Sequence, residues 1–391
     1  MMNAHTTSAK LAARAAALAL CCLLLAPAGA AAQSQDRVKQ LERAASLIGS
    51  NQLAEAERQL NQILKAAPEE PAALNLLGAL RAKQGRLEEA ESLFLRAVRA
   101  NGKLTGARMN LAYLYLLRRE PEQSAAQLRE VLRVEPANAE AAHRLAWLLL
   151  SQNRVEECLA LFESLEGTRA LSAPLLAVAG EAYLKKGDRA SGVASWKKAA
   201  ELNPSEPSYH FAAGSAWLAY PADLSEAELA FRQFLRLRPG DARGQMHLGY
   251  VLLKQKRLAE ARAMLDASTR EGAATPEAFY YLGLIAQGEG DDARALELFE
   301  KSIRLAPNYP HAHVALGATL LKLKDYERAR QALEAGVKLG PEDPKAHYNL
   351  ALLYARLKQP ERAREEMNVV KRLKNEGKAD DEDSVAPPRR K

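Results

Sequence analysis

Few residues in this sequence have the type and spacing that chemistry would need. His311, His313 and His347 are candidates for a metal site, and Cys158 is a candidate nucleophile. Metal ligands are normally clustered more tightly than these three histidines are along the sequence. The sequence also lacks a phosphate-binding glycine loop, a G-x-S-x-G motif and an H-E-x-x-H motif. We therefore predict a protein that is not an enzyme and that uses no cofactor or metal.

The composition favours an all-α protein that does not bind nucleic acid. Alanine and leucine are abundant, aromatic residues make up 6% of the chain, and strand-like alternation of β-branched residues is almost absent. The formal net charge of +7 over 391 residues is far from the dense basic stripe of a nucleic-acid-binding surface. A chain of this length also exceeds one ordinary hydrophobic core, which predicts several domains or a repeat array.

The N-terminal region has the pattern of a secretory signal peptide. Lys10 and Arg14 precede the apolar run AAALALCCLLLA, which is followed by a proline and small residues. We predict that residues 1–32 are a signal peptide, cleaved after Ala30 or Ala32, and that the protein is periplasmic or secreted. The alternative is an uncleaved inner-membrane anchor, although the run is shorter than the roughly 20 residues of a spanning helix. Only this alternative gives the protein a membrane contact.

A helix break recurs along the chain with a fixed period. The stretch APNYP interrupts the helical spacing of apolar residues, and its Pro307 lies 34 residues before Pro341 (341 − 307 = 34). Pro68, Pro136 and Pro204 are separated by multiples of the same period. A Leu-Gly pair repeats along with these prolines, at Leu77-Gly78, Leu248-Gly249, Leu282-Gly283 and Leu316-Gly317.

This period and these residues resemble the tetratricopeptide repeat family. The resemblance implies ten two-helix repeats, which begin at Arg37, Pro71, Thr105, Ala139, Ala173, Pro207, Ala242, Pro276, Pro310 and Pro344. It predicts an all-α, right-handed α-solenoid (a superhelix) of about ten stacked helical hairpins over residues 33–374. The remaining segment, residues 375–391, is charged and poor in apolar residues, so we predict that it is disordered.

The resemblance also assigns packing roles within each repeat, whose positions are counted from its first residue. Positions 8 and 20 are small in all ten repeats, which lets the two helices of a hairpin approach closely. Cys158 is at position 20 and is therefore interpreted as a buried packing residue. His313 and His347 are at position 4, where the family packs a bulky residue between repeats, and this argues against a metal site.

In this family the first helix of each repeat lines a concave groove that binds a protein or peptide segment. A well-known mode clamps a terminal carboxylate with lysine at position 5 and asparagine at position 9, and no repeat of this sequence has either residue there. The groove positions carry aromatic residues and histidine instead. We therefore predict that the partner-binding residues are Tyr113, His143, Trp147, Tyr250, Tyr280 and Tyr348.

Trp147 is the most informative of these residues because it does not occupy a core position of the repeat. Exposed aromatic residues on such a face often anchor a binding partner. Trp147 could equally pack on Leu111 or Tyr113 of the neighbouring helix. The sequence leaves both interpretations open.

The sequence therefore predicts an exported protein-interaction scaffold that assembles or stabilises an envelope or secretion complex. Two alternatives use the same fold. One is a membrane-tethered scaffold held by an uncleaved N-terminus. The other is an accessory factor for polysaccharide export, because aromatic side chains stack on sugars as well as on peptides.

Overall fold

The computed structural model describes the backbone of residues 28–218, 224–270 and 274–384, and over these ranges the chain contains helices and no strands. The all-α fold class is confirmed. The chain divides into two compact units, here called the N-terminal unit (up to Leu202) and the C-terminal unit (from Asn203). Most of the predicted signal peptide, residues 1–32, lies outside the described residues. Its two cleavage positions, Ala30 and Ala32, fall within the first helix.

The N-terminal unit contains five helical hairpins. Its helices are α1 (Ala28–Gly49), α2 (Leu53–Ala66), α3 (Pro71–Lys83), α4 (Leu87–Ala100), α5 (Thr105–Leu117), α6 (Pro121–Val134), α7 (Ala139–Ser151), α8 (Val155–Ser164), α9 (Ala173–Lys186) and α10 (Arg189–Leu202).

The C-terminal unit also contains five hairpins among the residues described. Its helices are α11 (Pro207–Leu218), α12 (Leu224–Leu237), α13 (Ala242–Lys254), α14 (Leu258–Ser268), α15 (Pro276–Gly288), α16 (Asp292–Leu305), α17 (Pro310–Lys322), α18 (Tyr326–Leu339), α19 (Pro344–Arg356) and α20 (Pro360–Ser384).

The first helices begin where the sequence places helix-start signals. From α3 onward, the first helix of every hairpin starts at the residue that opens a predicted repeat. Proline occupies the first position of α15, α17 and α19, where its missing N–H costs no hydrogen bond. Side-chain caps start other helices, since Asn138 accepts a hydrogen bond from the N–H of Ala141 and Asp241 accepts one from Gly244.

A left-handed residue closes the tight turn inside nearly every hairpin. These residues recur with the repeat period and are Asn51, Gly85, Arg119, Asn153, Gly187, Lys256, Gly290, Lys324 and Lys358. Only three of the nine are glycine, although glycine is the residue that adopts positive φ without a steric cost. The backbone of the turn is held by reverse hydrogen bonds, as in the N–H of Asp325 donating to the carbonyl of Leu320 at 3.0 Å.

Small residues at position 8 let the two helices of a hairpin approach closely. A Cβ atom added to Gly283 would lie 2.4 Å from the buried ring of Phe299, and one added to Gly180 would lie 2.7 Å from Trp196. Cys158 at position 20 is fully buried at a crossing of the same kind. Each hairpin therefore contributes to a continuous core, and consecutive hairpins within each unit pack against one another.

The last helix, α20, continues past Asn375, where the sequence predicts that a disordered tail begins. Its backbone is helical as far as Ser384. Where this stretch begins, Arg372 and Glu376 pair across one turn at 3.9 Å. Residues 385–391 lie outside the described part of the chain. Among the helices that the structure describes, none combines the length and apolar character needed to cross a lipid bilayer.

Candidate partner-binding surface

Within each unit, most first helices contact the first helix of the next hairpin. Such contacts join α1 to α3, α3 to α5 and α7 to α9 in the N-terminal unit, and join α11, α13, α15, α17 and α19 in sequence in the C-terminal unit. We call the face that these helices form the first-helix surface. All six predicted partner-binding residues lie on first helices, namely α5, α7, α13, α15 and α19.

In the N-terminal unit, large apolar side chains are exposed on this surface. Trp147 of α7 is 54% exposed, and Tyr113 of α5 is 55% exposed. Leu117, one helical turn beyond Tyr113, is 54% exposed and is a residue that the sequence analysis missed. We call Tyr113, Leu117 and Trp147 the anchor patch. Trp147 makes no ring contact with another aromatic residue in the described part of the chain, and its exposed fraction shows that it is not a core residue.

His143 supports the anchor patch rather than extending it. It lies one turn before Trp147 on α7 and is only partly exposed. Burial lowers the pKa of its imidazole, and the neighbouring Arg144 guanidinium lowers it further. His143 is therefore neutral at pH 7 and adds no charge one turn before the tryptophan.

In the C-terminal unit, Tyr250 and Tyr280 are not isolated anchors. Tyr281 packs against both, with ring centroids 4.8 Å from Tyr250 and 5.3 Å from Tyr280. Tyr309, in the break between α16 and α17, meets Tyr280 edge to face at 5.5 Å. We call Tyr250, Tyr280, Tyr281 and Tyr309 the tyrosine cluster. The structure thus joins two predicted site residues to two that the sequence analysis missed.

The tyrosine cluster surrounds an open cavity of about 360 Å³. The cavity is lined by Tyr250, Leu253, Lys254, Tyr280, Tyr281, Leu284, Tyr309 and His311. The signals that could have identified the missed tyrosines are simple in retrospect. Tyr281 adjoins Tyr280, and Tyr309 belongs to the APNYP break that directly precedes the next first helix.

The electrostatics of the cavity keep the phenols protonated. Burial is the main cause that raises the pKa of Tyr280, Tyr281 and Tyr309, and the nearby carboxylates of Glu277 and Asp343 contribute. The ammonium group of Lys254 lies 5.5 Å from the centroid of the Tyr250 ring, a distance suited to a cation–π contact. The cavity therefore presents neutral hydroxyl groups, aromatic surface and one cation.

Tyr348 stands apart from the cavity. It is 46% exposed on α19, and Leu352, one turn later, is 40% exposed. Tyr348 and Leu352 form a smaller apolar pair on the first-helix surface and do not line the cavity. The six predicted residues therefore form one group in the N-terminal unit and two groups in the C-terminal unit.

Two of the three histidines that were considered for metal binding, His313 and His347, have another role. Nε2 of His313 donates to the carbonyl of Pro307 at 2.8 Å, and Nε2 of His347 donates to that of Pro341 at 2.9 Å. His210 makes the same contact with Pro204. In these three repeats, the hydrogen bond connects the histidine at position 4 to the helix break that precedes the repeat. Among the described residues, no group of three or more potential ligands could hold a metal ion.

Cys158 is equally unsuited to chemistry. Burial raises the pKa of its thiol to about 11, so the reactive thiolate is scarce at pH 7. The interpretation of Cys158 as a packing residue agrees with its complete burial.

Family comparisons agree with the repeat pattern. The tetratricopeptide repeat matches residues 41–104, 109–172 and 222–274 in one form. In a second form it matches residues 284–347 and 325–377. Together these matches cover well over half of the chain and include both units.

Individual relatives are more distant. The chain is 25% identical over 286 residues to cellulose synthase operon protein C of Xanthomonas axonopodis pv. citri (strain 306), a match that covers 62% of this chain and 17% of that protein. The chain therefore spans about a sixth of that relative's length. A chain of the APC/C hetero-tetramer Cut9–Hcn1 is 16% identical with a TM-score of 0.50, covering 93% of this chain and 84% of that one, and shows the same fold. A structure of PilF from Pseudomonas aeruginosa is 25% identical with a TM-score of 0.46, covering 51% of this chain and 91% of that one.

Proposed function

The chain belongs to the tetratricopeptide repeat family, and from this premise we propose that it is an exported scaffold that assembles or stabilises a complex of the cell envelope or of secretion. The family assignment supports a protein-interaction scaffold that catalyses no reaction. Export is supported by the charge and apolar pattern of residues 1–32. The partner is an extended or helical protein segment that lies on the first-helix surface.

The anchor patch is the observation that carries this proposal. Tyr113, Leu117 and Trp147 place three large, half-exposed apolar side chains on the first helices of two consecutive hairpins. An exposed tryptophan in a folded protein leaves much apolar area in water, and binding a partner removes that area from water. Tryptophan and tyrosine also lose little conformational entropy when a partner covers them, which makes them frequent hot spots.

The chemistry of the patch restricts the partner. Position 5 lacks lysine and position 9 lacks asparagine throughout the repeats, so a terminal carboxylate would find no clamp of the known kind. His143 is neutral and adds no charge. The partner segment therefore carries apolar side chains at a spacing that suits α5 and α7, flanked by polar residues.

The test compares two variants of the full chain. One changes the first-helix surface, and the other changes a second helix. Trp147→Ala is expected to weaken binding of the partner by about thirtyfold, because losing a central aromatic anchor costs about 2 kcal/mol or more. Leu229→Ala is the matched control, since Leu229 is 53% exposed but lies on a second helix, α12. A photo-crosslinking amino acid at position 147 identifies the partner, and titration with the purified partner measures the affinity.

Two results would contradict this assignment. If Trp147→Ala unfolds the N-terminal unit, the tryptophan stabilises the fold and is not an anchor. If both variants bind the crosslinked partner as tightly as the wild type, the partner docks elsewhere, on the second helices or on residues 375–391.

Export has its own test. N-terminal sequencing of the native protein, purified from its host, is expected to begin at Ala31 or Gln33. A protein that retains Met1 and sediments with the inner membrane would favour the tethered scaffold instead.

A second candidate function is an accessory role in polysaccharide export. The match to cellulose synthase operon protein C favours it, because that relative's name associates it with the synthesis of a glucan. Deletion of the gene in the host would then lower the amount of polysaccharide outside the cell while synthesis inside continues. An unchanged amount of exported polysaccharide would contradict the second candidate function and would not affect the first.

A further inference from the structure

We propose that the tyrosine cluster of the C-terminal unit is a carbohydrate-binding site and that its ligand is a neutral glucan chain. The site is separate from the anchor patch, and its residues lie on α13, α15 and the start of α17. The choice of a glucan over other carbohydrates rests on the second candidate function above. The geometry of the cavity supports a carbohydrate independently of that choice.

The hydroxyl groups of the tyrosine cluster are available to a ligand. In the part of the chain described, none of the four phenols has a hydrogen-bond partner, and none is a buried atom cut off from solvent. Other tyrosines of this protein behave differently, since Tyr115 donates to Glu91 at 3.1 Å and Tyr354 donates to Glu334 at 3.1 Å. A phenol both donates and accepts, as does each hydroxyl group of a sugar.

The rings of the cluster are held in place before any ligand arrives. Tyr281 packs on Tyr250 and Tyr280, while Tyr309 closes on Tyr280 and lies 5.5 Å from His311. Because each ring restricts its neighbour, little side-chain entropy remains to be lost on binding. A pyranose ring has C–H faces that pack on aromatic surface and hydroxyl groups around its edge. The cavity offers both features within one small volume.

The lining has few polar side chains. Among the lining residues there is no asparagine, glutamine or arginine and no carboxylate. The polar groups available are the four hydroxyls, the Lys254 ammonium and the His311 imidazole.

The charges around the cavity favour a neutral ligand. Lys254 is the one permanent cation in the lining, and its ammonium group already faces the Tyr250 ring. Glu277 and Asp343 lie near enough to the tyrosines to disfavour phenolate formation. An acidic sugar would meet the same negative potential, so Lys254 would not give it a net advantage.

The dimensions fit a short stretch of a chain. A volume of about 360 Å³ lies near the lower end of the roughly 300–1,000 Å³ typical of small-molecule sites. The cavity is open to solvent, so a bound polymer can extend beyond it. Such a site holds a few sugar units of a polymer without enclosing its ends.

The test titrates the full chain with cellohexaose and follows binding by calorimetry and by saturation-transfer NMR. Tyr250→Ala and Tyr309→Ala each remove a ring and are expected to weaken binding by about tenfold or more. Tyr309→Phe keeps the ring and removes the hydroxyl, and a loss of about threefold is expected. Trp147→Ala is the matched control, because it removes an aromatic residue outside the cavity and should leave cellohexaose binding unchanged.

Several outcomes would overturn the proposal. They are no binding of cellohexaose to the wild type, binding that Tyr250→Ala and Tyr309→Phe leave unchanged, and equal loss in Trp147→Ala. An oligouronate or a proline-rich peptide that binds in place of cellohexaose would also overturn it. Circular dichroism of each variant checks the fold, and Tyr309→Phe, which alters one exposed atom, tests the site if the alanine variants unfold.

The proposal and the scaffold function fail separately. Loss of protein capture in Trp147→Ala with intact cellohexaose binding supports both sites. Intact protein capture by a wild type that binds no cellohexaose removes the carbohydrate site and leaves the scaffold function standing.

Discussion

Trp147 in the N-terminal unit and Tyr250 in the C-terminal unit occupy the same position of their repeats, yet Trp147 projects into solvent while Tyr250 packs on another ring. The difference arises in the following repeat. Tyr281 lies 31 residues after Tyr250 (281 − 250 = 31), whereas the residue 31 positions after Trp147 is Val178 (178 − 147 = 31). Val178 is buried and has no ring, so the following repeat offers Trp147 no aromatic neighbour at this position.

The position of a residue within its repeat therefore does not by itself determine its surroundings or its function. Aromatic residues at equivalent positions become separate anchors where the next repeat supplies small or polar neighbours. They become the wall of a cavity where the next repeat supplies more tyrosines. If both proposals hold, one repeat architecture supports two kinds of recognition, one by exposed anchors and one by a preformed cluster.

The largest expected effect is a loss of stability in the C-terminal unit. Gly283→Leu is expected to destabilise the C-terminal unit by about 1–3 kcal/mol or more, because even a Cβ atom at this position meets the buried Phe299 ring. Hydrogen exchange should show lost protection in the C-terminal unit first, since repeats contact only their neighbours. Gly288→Leu is the matched control on the same helix, where nothing lies within 4 Å of an added Cβ, and it should change stability by less than about 0.5 kcal/mol.

Uniform loss of protection in both units would contradict that expectation. It would mean that the two units unfold as one cooperative body and that their differences in side-chain packing have no separate consequence for stability.

The next prediction compares how much Tyr281 and Trp147 contribute to the free energy of unfolding. Tyr281→Ala is expected to lower the free energy of unfolding by about 1–3 kcal/mol, because its half-buried ring contacts Tyr250 and Tyr280. Trp147→Ala is expected to lower it by less than Tyr281→Ala does, because Trp147 is 54% exposed and makes no ring contact in the described part of the chain. Urea denaturation of both variants, followed by far-UV circular dichroism, measures the two changes. Equal destabilisation by the two variants would remove the distinction between anchor and cluster.

Much of this organisation can be predicted from the sequence. The proline breaks and the small residues at position 8 determine where first helices begin and where helices cross, because both are local steric effects with a fixed period. The six groove residues are found on first helices for the same reason. The exposed fraction of a side chain is harder to predict. The residues that could bury Trp147 or Tyr250 belong to a different repeat, and the result depends on which side chain that repeat supplies.

Two other features lay beyond the sequence argument for physical reasons. Tyr309 is in a break between helices, and a helical pattern gives no information about the direction of a side chain in a turn. The position-4 histidines were expected to pack between repeats, but their Nε2 atoms bind proline carbonyls six residues earlier. A proline carbonyl in a helix break lacks the helical partner that it would otherwise have, and this need is satisfied by a donor from the next helix.

A smaller effect concerns pH, and each unit contains one histidine with a lowered pKa. Burial is the main cause for His247, whose ring stacks on Phe231 at 5.2 Å, and Arg243 lowers its pKa further while Glu277 opposes the shift. Unfolded histidine binds a proton near pH 6.5, whereas folded His247 does so only at lower pH. The unfolded state therefore binds more protons in this interval, and the contribution of His247 to stability is present above about pH 6.5 and lost as the pH falls towards the folded pKa.

Hydrogen exchange at pH 7.5 and pH 5.5 checks this expectation in each unit. His247→Phe should reduce the loss of protection in the C-terminal unit at the lower pH and leave the response of the N-terminal unit, which contains His143, unchanged. An equal loss of protection in the variant and the wild type would assign the pH response of the C-terminal unit to its carboxylates.

The smallest expected effect is a gain in stability at a turn that both units share. Lys324 and Arg119 adopt left-handed backbone conformations with φ of 63° and 61°, while the equivalent residue of another hairpin is Gly290 with φ of 83°. Lys324→Gly and Arg119→Gly relieve the steric cost of a Cβ atom, but the greater freedom of glycine in the unfolded chain offsets part of that gain. A net stabilisation of up to about 1 kcal/mol is expected in each unit, measured by thermal unfolding. Gly290→Ala should have the opposite sign, with a loss of about 1 kcal/mol. If Lys324→Gly destabilises the protein, unfolded-state entropy exceeds the steric cost at this turn, and the six non-glycine residues found there are as favourable as the three glycines.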